Sequence, residues 1–182
     1  GGTNNVIVKA PTSVTSYTLT LPSTAGSANQ VLQTNGSGTT TWADVQDVVL
    51  NASPGNAKVS GTKIVFTANE NQGFGDVVFI NSSGKAQLGD ADAIATAYTI
   101  AMCTQTVTAN NTATYLTQGI AQNNSWSWTV GAPVYLSTTG TTGNTLTQTA
   151  PSGTNDVVQI IGIAIAATNI YVNPQLVQIE MN

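Results

Sequence analysis

Short runs of β-branched, aliphatic and aromatic residues recur along the chain about every ten residues, and clusters of Gly, Asn, Ser and Pro separate them. Tyr17, Leu19 and Leu21 alternate with threonines, which is the period of a strand with one apolar face. The best helical candidate is Ala-rich, at residues 89–97, and predicts one or two turns after an Asp cap. The pattern therefore predicts an all-β fold in which any helix is a connector.

Residues 1–46 are predicted to form an extended, β-rich N-terminal stem. Its predicted strands span residues 6–10, 17–21, 30–34 and 39–42. Asn35-Gly36-Ser37-Gly38 lies between the last two, and Asn-Gly is a strong hairpin signal because both residues tolerate positive φ. The stem holds few large apolar side chains, so we expect it to oligomerise, with several copies supplying the burial that one copy lacks.

From residue 47 to 182 the pattern predicts a compact head with a single core, built as a β-sandwich or β-barrel. Its predicted strands span residues 47–50, 62–68, 76–81, 98–104, 113–121, 126–129, 133–137, 156–166 and 170–172. A phrase that reads Gly-x-x-Val-aromatic-aliphatic occurs at residues 75–80 and again at 131–136. Each copy precedes a second candidate strand, near residues 85–88 and 145–149, so both copies are predicted hairpins at related positions.

Composition narrows the function more than any motif does. The chain has no histidine and no arginine, four lysines, eight carboxylates and a net charge of −4. Most catalysis needs a group that titrates near neutrality or an activated nucleophile, so we expect no enzymatic activity and no cofactor. An acidic chain without a basic patch is not expected to bind nucleic acid.

The longest apolar run and the start of the chain bear on its localisation. The apolar run at residues 160–167 falls well short of the roughly 20 residues that span a bilayer, so membrane insertion is not expected. The chain starts Gly-Gly-Thr-Asn-Asn, with neither an initiator Met nor a signal peptide, and we expect this start to be a cut edge within a longer chain.

A few titratable side chains could carry chemistry and are weighed against simpler roles. Asp90 and Asp92 faintly resemble a calcium loop, but the acidic positions that such a loop needs do not follow, and a capped turn is favoured. Asp76 and Asp156 both precede Val-Val; a carboxylate pair can hydrolyse glycosides, but strand entry is the favoured role. Cys103 lies among apolar residues and is predicted to be a small core residue.

The candidate binding residues are Trp126, Trp128, Asn123 and Asn124. The two tryptophans alternate with serines, so on a strand both would point to one face. Aromatic rings beside amides are typical of carbohydrate-binding surfaces, where rings stack on sugars and amides bond hydroxyls. The alternative, which we favour, is that the tryptophans pack in the core or between subunits.

One segment resembles a known class of protein. Leu19-Thr20-Leu21-Pro22, a turn containing Gly26, Gln30-Val31-Leu32-Gln33-Thr34-Asn35-Gly36-Ser37-Gly38 and then Trp42 resemble a segment common in bacteriophage tail-fibre and head-fibre proteins. Residues 133–139 and 156–164 resemble domains at the ends of such fibres, and are similar to small β-barrel capsid decoration proteins.

The resemblance implies a homotrimeric virion protein at the particle surface, with an N-terminal stem and a C-terminal head. Its partners would be copies of itself, other capsid or tail proteins and, in host attachment, a host surface glycan. Two alternatives stay open from the residues: a carbohydrate-binding adhesion module, and a phage polysaccharide depolymerase that uses a carboxylate pair.

Overall fold

A computed structural model describes residues 12–13, 16–44 and 49–182. The chain divides into two compact units, Gly1–Val49 and Leu50–Asn182. The predicted boundary between residues 46 and 47 and the predicted strand at 6–10 lie outside the described residues. Residues 47 and 48 of the predicted strand at 47–50 also lie outside them, and Val49 and Leu50 are not in a strand.

The first unit is built around one antiparallel hairpin. Strands β1 (Gln30–Thr34) and β2 (Thr40–Asp44) pair as predicted, with Thr34 opposite Thr40. The Asn35 side chain closes the turn, because its Oδ1 accepts the N–H groups of Ser37 at 2.8 Å and of Thr39 at 3.2 Å. Positive φ is taken by the two turn glycines and not by Asn35, so asparagine acts through its side chain rather than through its backbone.

The predicted strand at residues 17–21 is wrong as a strand. This segment pairs at a single bridge, where Thr20 donates to Gly38 O at 2.7 Å and accepts from Thr40 N at 2.9 Å. A single bridge orders the segment but leaves its apolar side chains without a packed neighbour on their outer side. Tyr17, Leu19 and Leu21 are accordingly exposed.

The second unit is a curled antiparallel half-barrel, so the predicted all-β class is confirmed. Eight strands follow the order β5-β4-β6-β7-β12-β11-β8-β9, and β3 pairs with the other edge of β7. A separate two-stranded ladder joins β10 to β13. The strand bounds are β3 Lys58–Thr67, β4 Val77–Ile80, β5 Ala86–Leu88, β6 Ala101–Cys103, β7 Thr112–Gln122, β8 Pro133–Leu136, β9 Leu146–Thr147, β10 Val157–Val158, β11 Ile160–Ala166, β12 Asn169–Val172 and β13 Ile179–Glu180.

The two copies of the repeated phrase form hairpins, as predicted, at the two ends of this sheet. The first copy gives β4 and β5, and the second gives β8 and β9. The β4–β5 turn repeats the chemistry of the first unit's hairpin, since Asn81 Oδ1 accepts the N–H groups of Ser83 and Lys85. In both units the turn geometry is therefore set locally by an asparagine Oδ1 that accepts two backbone N–H groups of the turn.

Two apolar clusters lie on opposite faces of the β4–β6 arm. Val77 and Met102 belong to the larger cluster, whereas Val78 and Cys103 belong to the smaller one, which Tyr115 completes. Both faces of these short strands are buried, which is why the sequence here is a continuous apolar run rather than an alternation.

A β-bulge on β7 controls which side chains reach the larger cluster. Thr62 pairs with Gln118 and Lys63 with Leu116, so Thr117 is the extra residue, and its hydroxyl donates to Thr62 O at 3.0 Å. A bulge reverses the alternation of faces beyond it. Leu116 and Ala121 therefore both reach the larger cluster although an odd number of positions separates them.

Three predicted elements in the second unit differ from the structure. Residues 126–129 are not a strand, because Trp126 N closes a turn onto Asn123 O at 3.0 Å. Residues 89–97 form a single 3-10 turn at Ile94–Thr96 with no side-chain cap, because Asp90 Oδ1 accepts Asp92 N instead. The predicted strand at 156–166 is split into β10 and β11 by Gln159, a residue that lies between them.

Gln159 breaks the strand because it is a fully buried amide whose hydrogen bonds all go to other segments. Its Oε1 accepts from Thr99 N and Oγ1, and its Nε2 donates to Thr99 O at 2.9 Å and to Gln175 O at 2.8 Å. A buried polar side chain must be satisfied in this way, and the bonds tie three distant segments together.

Two glycines face each other where β3 pairs with β7, and substituting one of them tests how closely the strands approach. Gly119 (φ +149°) lies opposite Gly61 (φ +154°), and a Cβ on Gly119 would overlap Ser60 O and come within 2.7 Å of Gly61 Cα. We predict that Gly119→Ala destabilises the fold by about 1 to 3 kcal/mol more than Gly131→Ala, because overpacking adds to backbone strain. Gly131 also has positive φ but open space around its Cβ position. Urea unfolding of both variants measures the difference, and equal costs would contradict the close approach.

Candidate functional site

Three aromatic side chains form the most distinctive surface feature of the second unit, which we call the aromatic cleft. It is a cavity of about 80 Å³ lined by Phe74, Gly75, Asp76, Trp126, Trp128, Gly143, Thr145 and Leu146. The ring centroids of Phe74 and Trp126 are 6.0 Å apart, and those of Trp126 and Trp128 are 5.7 Å apart. These separations are within the range of favourable aromatic pairs.

Backbone hydrogen bonds and one glycine hold the two tryptophans in place. Trp128 N donates to Ala167 O at 2.8 Å, which fastens the segment to the turn between β11 and β12. Gly75 lets the Trp126 ring approach, since a Cβ there would lie 2.8 Å from Trp126 Cζ2. The walls of the cleft are therefore fixed before any ligand arrives.

The structure brings together two of the four predicted binding residues. Trp126 and Trp128 are half-buried and pack against the larger cluster, which is the packing role favoured from the sequence. They also line the cleft, so their predicted contact with a glycan stays a prediction.

The two asparagines serve the loop instead of the cleft. Asn123 Oδ1 accepts Ser125 N at 2.9 Å, and Asn124 Oδ1 accepts Gln122 Nε2 at 3.2 Å. Asn124 N also donates to Asn56 Oδ1 at 2.9 Å. Neither asparagine lines the cavity, and we assign them to shaping the turn that presents Trp126.

The indole N–H of Trp128 is buried and finds no acceptor among the described residues. In contrast, the indole N–H of Trp42 in the first unit donates to Thr24 O at 2.7 Å. Buried donors in folded proteins are nearly always satisfied, so the Trp128 N–H is an exception among the described residues.

Asp76 is a buried carboxylate on the wall of the cleft. The sequence predicts only a strand-entry or a catalytic role for it. It is 1% exposed, and its oxygens accept from Gly73 N at 2.7 Å, Gly143 N at 2.7 Å and Thr145 Oγ1 at 3.3 Å. Burial raises the pKa of Asp76, and the hydrogen bonds from Gly73, Gly143 and Thr145 oppose that rise. The carboxylate thus ties the loop before β4 to the loop before β9.

Asp156 forms the same kind of loop at the start of β10, with Oδ2 accepting Ser152 N at 3.1 Å and Gly153 N at 2.6 Å. Strand entry is therefore confirmed for both Asp76 and Asp156.

The pKa of Asp92 is raised, first by desolvation and then by the negative charges of Asp90 and Asp156. Within residues 12–13, 16–44 and 49–182, no three His, Cys, Asp or Glu residues are placed to hold a metal ion.

Cys103 is a core residue, as predicted. It is fully buried, its Sγ donates to Gln105 O at 3.0 Å, and burial raises the pKa of its thiol to about 11. A thiol with such a pKa stays protonated near neutrality and is a poor nucleophile.

Sequence analysis does not single out Phe74 or Leu146, and it does not predict that Asp76 lies in this cleft. The signal that was present is the Gly73-Phe74-Gly75-Asp76 run, in which an aromatic residue stands between two glycines. Its partners are distant in the chain, so the pattern alone does not reveal them.

Comparison with known proteins gives no relative: no family model, no curated protein and no solved structure matches this chain. In the described part of the chain, no helix has the length and apolar character to cross a membrane.

Asp76 and Asp156 each close a loop, so the same Asp→Asn substitution at the two positions makes a matched pair. We predict that Asp76→Asn lowers the free energy of unfolding by about 2 to 4 kcal/mol, because Gly73 N and Gly143 N bond different carboxylate oxygens, and the amide places an NH₂ donor against one of these two N–H groups. Asp156→Asn should cost about 1 kcal/mol or less, since Asp156 is half-buried and bonds only within its own loop. Urea unfolding followed by tryptophan fluorescence compares the two, and a larger cost at Asp156 would refute the assignment.

Proposed function

We propose that this chain is a non-enzymatic structural subunit of a virion, a phage fibre or capsid decoration protein that works in particle decoration and host attachment. The observation that carries the proposal is the exposure of apolar side chains in the unit that contains the fibre-like segment. Tyr17 is 71% exposed, Leu21 61% and Leu19 47%, and the hairpin adds Val31 and Leu32.

A row of exposed apolar side chains is unfavourable for an isolated chain in water. Each fully buried Leu contributes roughly 1.5 to 3 kcal/mol, so association of copies through residues 17–21 would recover a large free energy. Exposed apolar groups of this kind mark interaction sites in soluble proteins. We therefore propose a homo-oligomer joined by an extended N-terminal stem, with the second unit as a compact sandwich or barrel head.

The number three rests on the resemblance of residues 19–42 to phage fibre segments, as do the virion surface location and the capsid or tail partners. The low charge of the chain is consistent with this role, since 7% charged residues leave the surface to neutral hydroxyl and amide groups. Such surfaces suit assembly and adhesion more than steering of charged ligands.

The absence of histidine and arginine supports a non-enzymatic role, as do the bonds of the two candidate carboxylates. Asp76 is enclosed and accepts three protein donors, and Asp156 bonds its own loop. A glycosidase needs one carboxyl group positioned as a proton donor and a second that faces the sugar.

The aromatic cleft favours a second candidate function, a carbohydrate-binding adhesion module. Half-exposed tryptophans beside a cavity are typical of sugar sites, because their rings stack on the apolar faces of sugars. This candidate is compatible with a virion subunit that attaches to its host.

Oligomerisation is tested on the intact chain. We predict that light scattering gives a mass about three times the 18.6 kDa of one chain. Leu19→Asp and Leu21→Asp should shift the mass toward the monomer, because each places a charge in the apolar contact. Thr18→Asp adds the same charge at the exposed position between Tyr17 and Leu19 and should leave the mass closer to that of the trimer. A folded monomer at micromolar concentration would contradict the proposal.

Enzymatic activity is tested separately. We predict that the purified chain releases no reducing ends from host polysaccharide, because the carboxylates of the two candidate residues, Asp76 and Asp156, already accept hydrogen bonds from the protein's own loops. Turnover that disappears in Asp76→Asn or Asp156→Asn would establish a depolymerase instead.

A further inference from the structure

Strand β11 is apolar on both of its faces, but the second unit buries only one of them. The strand contains no polar side chain. Ile161 and Ala164 belong to the larger cluster, whereas Ile160, Ile163 and Ile165 are 39%, 48% and 40% exposed. Strands β4 and β6 are continuous apolar runs as well, and both of their faces are buried. The sequence of β11 is therefore typical of a strand whose second face is also covered.

The exposed side of β11 belongs to a wider surface, which we call the outer face of the sheet. The strand register places one row of residues across β3, β7, β12, β11 and β8, namely Ser60, Ile120, Tyr171, Ile163 and Pro133. Residues opposite each other on neighbouring antiparallel strands point to the same face. Strands β7, β8, β11 and β12 contain no charged residue. A sheet face that stays in water is normally polar, so exposed isoleucines on an uncharged face indicate a contact surface.

The first residues of the second unit already lie on one part of the outer face. Asn51 N donates to Ser60 Oγ at 2.8 Å, and Asn169 Nδ2 donates to Ala52 O at 2.7 Å. Ile120, in the same row as Ser60, is 6% exposed, and the exposed isoleucines lie two strands further along. The chain therefore enters the second unit across its outer face and leaves the β11 side of that face open.

This point of entry favours a second copy of the chain as the occupant. The first unit is joined to the second through residues that lie on the outer face, so association of the stems raises the local concentration of outer faces. An uncharged face also meets its own copy without like-charge repulsion. A strongly charged partner would find no complementary charge on these four strands.

We propose that the outer face of β11 is the contact between the second units of neighbouring copies, with Ile163 packed against its counterparts around the symmetry axis. Ile160 and Ile165 extend the contact along the strand, and Pro133 and Tyr171 flank it across the sheet. This inference rests on the oligomer of the proposed function and adds the surface through which the second units meet. Burial of the isoleucines then completes the covering of β11.

Cysteine cross-linking of the intact chain tests the contact. The natural thiol, Cys103, is fully buried, so a short bifunctional maleimide reports on an introduced cysteine. Ile163→Cys should give cross-linked dimers on a denaturing gel, and Ile165→Cys provides a second, independent position. Ser82→Cys is the control, because Ser82 is exposed in the β4–β5 turn at the opposite end of the sheet, and it should give none. A monofunctional maleimide should label Ile163→Cys about tenfold more slowly than Ser82→Cys, since labelling requires the contact to open.

Light scattering of the same samples separates this inference from the proposed function. A trimeric mass together with labelling of Ile163→Cys as fast as that of Ser82→Cys, and no cross-links at either isoleucine position, would overturn the contact and leave the oligomer standing. A monomeric mass would contradict the oligomer itself, and the contact with it. A trimer that persists in Leu19→Asp and Leu21→Asp and still cross-links through Ile163→Cys would support the outer face and contradict the stem contact.

Discussion

The second unit depends on the pairing of strand β7 with three other strands. One edge of β7 is paired with β3 over its whole length, and the opposite edge is shared by β6 near Leu116 and by β12 from Gly119 onward. The two arms of the half-barrel therefore leave the same edge of one strand. The bulge at Thr117 lies between these two junctions, and the facing glycines lie where the second one begins, so the strand twists and bends here. If β7 lost this geometry, the larger cluster would lose residues from both arms at once.

Hydrogen bonds from polar side chains to other segments and turns perform much of the work that ion pairs perform in more charged proteins. Asn35 and Asn81 close two hairpin turns, Asp76 and Asp156 close two strand entries, and Gln159 joins three segments through a buried amide. In every case a short polar side chain bonds backbone groups that a turn would otherwise leave unpaired. Such bonds depend little on salt, in contrast to surface ion pairs.

The aromatic cleft joins two loops and one strand that lie far apart in sequence. Phe74 and Asp76 precede β4, Trp126 and Trp128 follow β7, and Leu146 belongs to β9. Since β4 and β9 lie on opposite arms of the half-barrel, the cleft exists only because the sheet curls. The link from fold to candidate site is therefore direct: the curvature of the sheet brings three aromatic side chains and a buried carboxylate to one small cavity.

The sequence by itself determined what depends on neighbouring residues. Alternation and Asn-Gly chemistry predicted the β1–β2 hairpin, the repeated phrase predicted the two end hairpins, and the all-β class followed from the period of the pattern. Tertiary structure decided the rest. Residues 126–129 alternate like a strand, yet the Trp126 N–H closes a turn onto Asn123 O. Residues 156–166 are mostly apolar, yet the buried side chain of Gln159 divides them into two strands. Likewise no local pattern pairs Trp126 with Phe74 or encloses Asp76. These outcomes depend on hydrogen-bond partners and packing surfaces tens of residues away, and the one-dimensional pattern carries no information on which distant segment will supply them.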